Sequence, residues 1–222
     1  MPRKARRSES VDDFIKAVYT LQQSGQRVST TTLCDTLEIS APSVTDMAQR
    51  LVAAGLVDYQ KYRGVVLTPA GEAMALKVIR RHRLIELFLV QHLNYELREV
   101  HDEAERLEHV VSERFIDAIA HSLGHPAFDP HGDPIPADDG TIARRMLIPL
   151  TELAIGASGV VAQLKTESPE MIQHMLDRGF RLGAVVTLIE QDPFDGPVRV
   201  QIDGSERVIG HHVARCIYVE SA

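Results

Sequence analysis

Residues 30–68 constrain the fold most, because they set out two short helices and a hairpin with start and stop signals in place. A first helix is expected over residues 30–37. A second opens at Ser40-Ala41-Pro42-Ser43, where a serine hydroxyl can accept from an unpaired first-turn N–H and proline costs no hydrogen bond. It runs to about Ala54 and stops at Gly55. The apolar positions Leu33, Leu37, Ile39, Val44, Met47 and Leu51 would close the pair into a helix-turn-helix. Residues 58–68 then read as a β-hairpin turning near Tyr62-Arg63-Gly64, and that order of elements makes a winged helix. Ser43, Thr45, Asp46, Gln49 and Arg50 fall on the open face of the second helix, with Ser40 and Pro42 at its start, where short polar and amide groups reach base edges and phosphates. Lys61 and Arg63 near the hairpin tip suit the phosphate backbone. Upstream, a helix over about residues 10–24 carries Phe14, Val18 and Leu21 at helical spacing, behind a basic arm of Arg3, Lys4, Arg6 and Arg7 that can track phosphates or simply solubilise the chain.

A net charge of -7 argues weakly against a nucleic-acid binder, but the charge is unevenly placed. The first 75 residues are slightly more basic than acidic, and the acidity lies beyond them. An acidic protein with a DNA-facing end fits that distribution. Its 44% hydrophobic content over 222 residues supports a sizeable core and one to three small domains. No apolar run approaches the ~20 residues of a membrane helix, and the N-terminus lacks the apolar stretch of a secretory signal. Cys34 and Cys216 fit no metal-binding spacing and suggest buried thiols in a reducing, cytoplasmic compartment.

The run from His101 to His109 is the second informative stretch. At about 100° per residue, His101, Glu105, Glu108 and His109 share one arc of a helix, while Val100, Ala104, Leu107 and Val111 gather on another. One face can pack while its neighbour presents two imidazoles and two carboxylates. This N/O set suits Mn2+ or Fe2+, and zinc would also bind; a solvated, salt-bridged face is the alternative. A long helix from Pro69 to about His92 adds His82 and Glu86, an i,i+4 pair on one face, and a short link makes the two helices near-antiparallel neighbours.

A further helix over about residues 112–122 ends at Gly124 and Pro126, followed by the Pro/Gly-rich residues 128–136 and a linker-like Asp138-Asp139-Gly140. Beyond residue 148 the period changes to short strands, over 159–165, 184–191, 198–202, 206–209 and 216–219, with one helix over 169–178, as in a small SH3-like barrel. The expected class is mainly α with a small β domain: a winged helix-turn-helix DNA-binding domain over 1–75, a helical domain over 76–140, a linker over 141–147 and an SH3-like β-barrel over 148–222.

Three segments, His-Arg-Leu-Ile-Glu at 82–86, His-Asp-Glu-Ala-Glu-Arg-Leu-Glu-His at 101–109 and Pro-His-Gly-Asp-Pro-Ile-Pro at 130–136, give the chain its family likeness. It resembles the metal-dependent repressors typified by the diphtheria toxin repressor and the manganese transport regulator, over nearly its whole length. The resemblance implies a cytoplasmic, non-enzymatic homodimer that binds double-stranded operator DNA, with a helical metal-binding and dimerisation domain and a FeoA-like, SH3-like C-terminal domain. It implies no membrane and no small-molecule substrate beyond the metal ion. The regulatory ion would be held by Asp13, Glu105, Glu108 and His109, with His82 close by or ligating, and a second by His82, Glu86 and His101 with Asp129 and His131. Asp129 stands for a cysteine of the branch with the extended C-terminal domain, whereas Glu167 and Glu170 lie near that branch's C-terminal contributor. Glu105 stands where the iron-sensing branch has cysteine, and a hard oxygen there implies Mn2+ over Fe2+, with other divalent transition metals able to substitute. Lys16 stands where shorter manganese regulators carry Glu, which argues against a two-metal cluster of their type, because an ammonium repels a cation. The competing readings are an Fe2+ or dual sensor, a metal-independent winged-helix regulator and a carboxylate-bridged metalloenzyme; the Glu105-Arg106-Leu107-Glu108-His109 run occurs only once, which disfavours the last.

Overall fold

A computed structural model describes the backbone of residues 2–22, 26–166 and 168–221, and the side chains of 10–22, 26–166 and 168–220. The chain forms two compact units: Met1–His82 with Arg106–Ser112 and Pro136–Thr141, and Arg83–Glu105 with Glu113–Ile135 and Ile142–Ala222.

In the first unit α1 (Pro2–Leu21), α2 (Thr30–Leu37), α3 (Ala41–Ala53) and the hairpin β1 (Val57–Gln60) and β2 (Gly64–Leu67) precede α4 (Pro69–Leu93), whose first half belongs here. Helix α1 begins earlier than periodicity suggests, so its backbone includes the basic arm; the side chains of Arg3, Lys4, Arg6 and Arg7, and all of Ser24, lie outside the described residues. Ser29 caps α2 by accepting from the Thr32 N–H at 3.0 Å, and Ser40 caps α3 by accepting from Ser43 at 3.4 Å. Gly55, at φ +72°, takes the chain out of α3 through a left-handed turn that L side chains resist. Phe14, Ile15, Val18, Leu33, Val44, Leu51, Val65 and Val78 fill one core. Burying an aliphatic or aromatic side chain contributes ~1.5–3 kcal/mol, which makes this core the main reason α2 and α3 hold at so few turns. Ile39, expected in that core, is exposed, because Glu38 ends α2 in a left-handed conformation and turns the next side chain outward.

The second unit holds the rest of α4, α5 (Val100–Leu107) as far as Glu105, α6 (Glu113–Ser122) and the β domain. Strands β3 (Leu147–Pro149), β4 (Ser158–Leu164), β5 (Val185–Gln191), β6 (Val198–Ile202), β7 (Ser205–Ile209) and β8 (Ile217–Ser221) form an antiparallel sheet in the order β3-β8-β4-β5-β6-β7, with α7 (Pro169–Asp177) and α8 (His211–Arg215) beside it. Its alternating inward residues, among them Val186, Leu188, Val198, Val200 and Ile202, close a separate core with Phe180 and Met175. Strand β3 and helix α8 were not expected, and β3 begins inside the anticipated linker. The other linker-like stretch is also ordered, since Arg80 pairs with Asp138 at 2.6 Å and donates to the Pro136 carbonyl at 2.9 Å. Cys34 and Cys216 are free thiols and half-buried instead of fully buried; partial burial pushes the Cys216 thiol above its ordinary range. Among the described residues, no helix is long and apolar enough to cross a membrane.

Candidate metal centre and nucleic-acid interface

Helix α5 buries Val100 and Ala104 and ends at Leu107, so Glu108 and His109 stand in the turn after it and not on the helical arc expected of them. The Glu108 carboxylate is fully buried, held by Lys16 Nζ at 3.0 and 3.2 Å and by His82 Nδ1 at 2.5 Å. A buried carboxylate needs such partners, because an unpaired one costs several kcal/mol.

His109 completes this part of the first unit. Its Nε2 lies 3.0 Å from Asp13 Oδ1 and 3.7 Å from Glu108 Oε1. Asp13, Glu108 and His109 each offer a ligand atom within 4.8 Å of the others. The opposite ring nitrogen, Nδ1, is buried without a hydrogen-bond partner and faces Asp12 Oδ2 at 3.9 Å. An imidazole presenting one nitrogen to two carboxylates and the other to a third has the layout of a metal-ligating histidine with an outer carboxylate behind it. Burial raises the Asp12 carboxyl above its ordinary value, against the opposing effects of Arg81 at 3.8 Å and His109. Asp12 escaped sequence reasoning; its only signal was adjacency to Asp13. Glu105 stands half-buried near the end of α5, three and four positions before Glu108 and His109.

In the second unit, Glu86 is buried on α4, with His101 Nδ1 3.4 Å and His131 Nε2 3.9 Å from its Oε1. His82 stands one helical turn earlier on the same continuous α4. Asp129, although expected beside these ligands, is committed to its own loop: Oδ1 accepts from the N–H groups of His131 and Asp133, both at 2.9 Å, and Oδ2 faces Arg83 Nε at 3.5 Å. This is an Asx-type turn that uses one of the two carboxylate oxygens. Burial, reinforced by Asp133 and Glu86, pushes the Asp129 carboxyl up to about 8. Glu170 instead bonds the Ser168 hydroxyl at the start of α7, and Glu167 lies outside the described residues.

Of the residues expected to face DNA, Ser40, Pro42, Ser43, Asp46, Gln49 and Arg50 are exposed on and before α3. Thr45 is the exception, half-buried with its hydroxyl donating back to the Ala41 carbonyl at 2.9 Å. The wing is braced from behind by Arg27, which donates to the Asp58 carbonyl at 2.9 Å, and by a bridge between Val28 and Val65. At its tip Lys61 and Arg63 flank Tyr62, which is 92% exposed at φ +67°, with the Lys61 ammonium 5.0 Å from the ring. An aromatic so exposed is an additional candidate contact that sequence reading passed over as a turn residue.

Three family models match the chain in succession: the iron dependent repressor N-terminal DNA binding domain over residues 7–65, the iron dependent repressor metal binding and dimerisation domain over 68–137, and the FeoA domain over 148–221. The chain is similar to the iron-dependent repressor IdeR of Mycobacterium leprae, at 33% identity covering 96% of this chain and 97% of the relative. It is similar to the diphtheria toxin repressor of Corynebacterium diphtheriae, at 26% identity over the same shares. Among solved structures, a manganese-dependent transcriptional repressor in complex with manganese matches at TM-score 0.87 and 37% identity, covering 96% of this chain and all of the other. The repressor ScaR with bound Cd2+ matches at 0.80 and 30%, covering 96% and 99%.

Proposed function

The chain belongs to the iron-dependent repressor family and is a metal-dependent transcriptional repressor, not an enzyme, and on that premise we propose that Mn2+ is its activating ion. The observation that carries this reading is the ligand chemistry at His109: carboxylate oxygens of Asp13 and Glu108 and one imidazole nitrogen converge within 4.8 Å, and Glu105 on the preceding turn adds a further carboxylate. Oxygen-rich sets of this kind favour Mn2+, whereas a thiolate would draw softer ions. Iron-dependent relatives keep Fe2+ as the second reading.

The regulatory ion is assigned to Asp13, Glu105, Glu108 and His109, and a second ion to Glu86, His101 and His131. The bound cation supplies charge that lets clustered carboxylates stay together. Asp13 stands on the first helix of the winged-helix unit, and Glu108 and His109 on the 106–112 segment of that same unit. Holding the two against each other fixes the approach of α1, against which α2 and the wing pack. If that arrangement is the DNA-competent one, operator DNA must tighten metal binding by the same factor that metal tightens DNA, typically ~5–150-fold. A homodimer would present two α3 helices to major grooves about 34 Å apart on a near-palindromic site.

The test is a duplex selected from a random pool in the presence of Mn2+, titrated with the protein in metal-free buffer, in Mn2+ and anaerobically in Fe2+. Tighter binding with Mn2+ than with Fe2+ at equal free concentration is the expected result. Equal affinity in all three buffers would overturn metal activation, and a preference for Fe2+ would overturn the manganese assignment alone.

A further inference from the structure

His131 is the one proposed ligand of the second ion that comes from a loop, and that loop is gripped by the β domain. Strand β4 pairs with β8 through a bulge, Val161 opposite Val219 and Gln163 opposite Tyr218, which leaves Ala162 as the extra residue. A bulge re-aims backbone groups that the ladder would otherwise use. Here the Ala162 carbonyl faces the loop: a Cβ added to Gly132 would lie 2.0 Å from it, and Arg145 donates to the same oxygen at 3.4 Å while stacking on Phe128 at the loop's start. Only glycine, here at φ +92°, lets the two backbones approach so closely.

Hydrogen bonds complete the grip. The Leu164 N–H donates to the His131 carbonyl at 2.8 Å, so the strand end is bonded to the residue whose ring faces Glu86. The Gln163 amide donates to Asp133 Oδ1 at 2.9 Å, and Arg83, one helical turn before Glu86's neighbour Leu87, reaches that same oxygen at 3.3 Å. The loop is therefore tied on one side to α4 and on the other to β4, with His131 between.

We propose that strand β4 of the SH3-like domain positions the second metal site through the backbone of the 130–133 loop, with Gly132 and Gln163 as positioning residues, so that filling that site and seating the loop on β4 are thermodynamically linked. This rests on the assignment of the second ion to Glu86, His101 and His131. By reciprocity, whatever the metal gains from a seated loop the seated loop gains from the metal. The β domain thus contributes to metal affinity through the backbone of the loop that carries His131.

The direct reporter is the Leu164 amide, whose partner is the His131 carbonyl. Hydrogen exchange is measured on the full-length chain carrying Asp13→Ala and His109→Ala, which leaves the second site as the one to be filled, with Mn2+ binding read in parallel by titration calorimetry. Mn2+ is expected to slow exchange at Leu164, and to leave it unchanged when Glu86→Ala and His101→Ala are added. Gly132→Ala and, separately, Gln163→Ala are expected to weaken Mn2+ binding at this site by about 10–100-fold, the usual cost of disturbing residues behind metal ligands. Gly204→Ala, a control at φ +74° with nothing within 4 Å of the added Cβ, is expected to leave that affinity unchanged. Saturable Mn2+ binding with no change in Leu164 exchange, or unaltered affinity in folded Gln163→Ala, would overturn the coupling. No Mn2+ binding in the Asp13/His109 background would overturn it at its premise, and leaves metal-dependent DNA binding by the unsubstituted protein as a separate result.

Discussion

Replacing Lys16 with Met should make the fold depend on metal. Lys16 Nζ lies within 3.0 and 3.2 Å of the two oxygens of Glu108, a carboxylate with no exposed side-chain surface. Hydrogen bonds to charged groups contribute about 1.5–3 kcal/mol, and breaking one partner of a buried pair costs about 3–5 kcal/mol because the other charge stays behind. Lys16 keeps 19% of its side chain exposed and Glu108 retains His82 at 2.5 Å, so the expected loss lies at the lower end, about 2–3 kcal/mol. Urea unfolding of the metal-free chain reads this as a lower midpoint at unchanged slope. Added Mn2+ should then recover more stability in Lys16→Met than in the unsubstituted chain, because the ion supplies the positive charge that the ammonium had placed beside Glu108. Unchanged metal-free stability, within about 0.5 kcal/mol, would refute the reasoning, as would equal Mn2+ stabilisation of both chains.

Glu105→Ala and His109→Ala should each abolish Mn2+-dependent operator binding while the metal-free circular dichroism spectrum stays unchanged, since neither side chain belongs to a hydrophobic core. Arg50→Ala, on the exposed face of α3, should weaken DNA binding with or without metal in a gel-shift titration. Lys61→Ala at the wing tip should lower the slope of log affinity against log salt by about 1, with little change in sequence preference. Leu33→Ala, at a fully buried position between α2 and its neighbours, should cost about 2–5 kcal/mol in thermal or urea unfolding, with no specific effect on metal binding.

Much of the first unit was legible because its elements are locally punctuated. Ser40, Pro42 and Gly55 bracket α3 within a residue or two, and the apolar spacing of Leu33, Val44 and Leu51 names the core that closes on it. Glu105, Glu108 and His109 stand out in the sequence as ionisable residues at helical spacing, whereas Asp13 comes from the family resemblance and from no local pattern. The end of α5 was not legible, because no Gly or Pro follows Leu107 before Gly124; at that end Glu108 is buried against Lys16 and His82 from other helices. The hydroxyl of Thr45 donates to the Ala41 carbonyl, an alternative that polar β-branched residues have in a helix and that spacing alone does not reveal. Asp129 has a structural role that its sequence also announces: the string Asp-Pro-His-Gly-Asp is a turn signal, and one carboxylate oxygen accepts from the His131 and Asp133 N–H groups. Strand β3, at three residues, and helix α8, at five, are too short to show a period, and they exist because β8 and the barrel core lie beside them.

Anomalous scattering at the manganese edge, from crystals of the full-length protein grown in Mn2+, tests the central assignment most directly. A peak coordinated by His109 Nε2 with Asp13, Glu105 and Glu108 is the expected result, with a second peak among Glu86, His101 and His131. Ordered density for these side chains with no manganese peak beside His109 would contradict it.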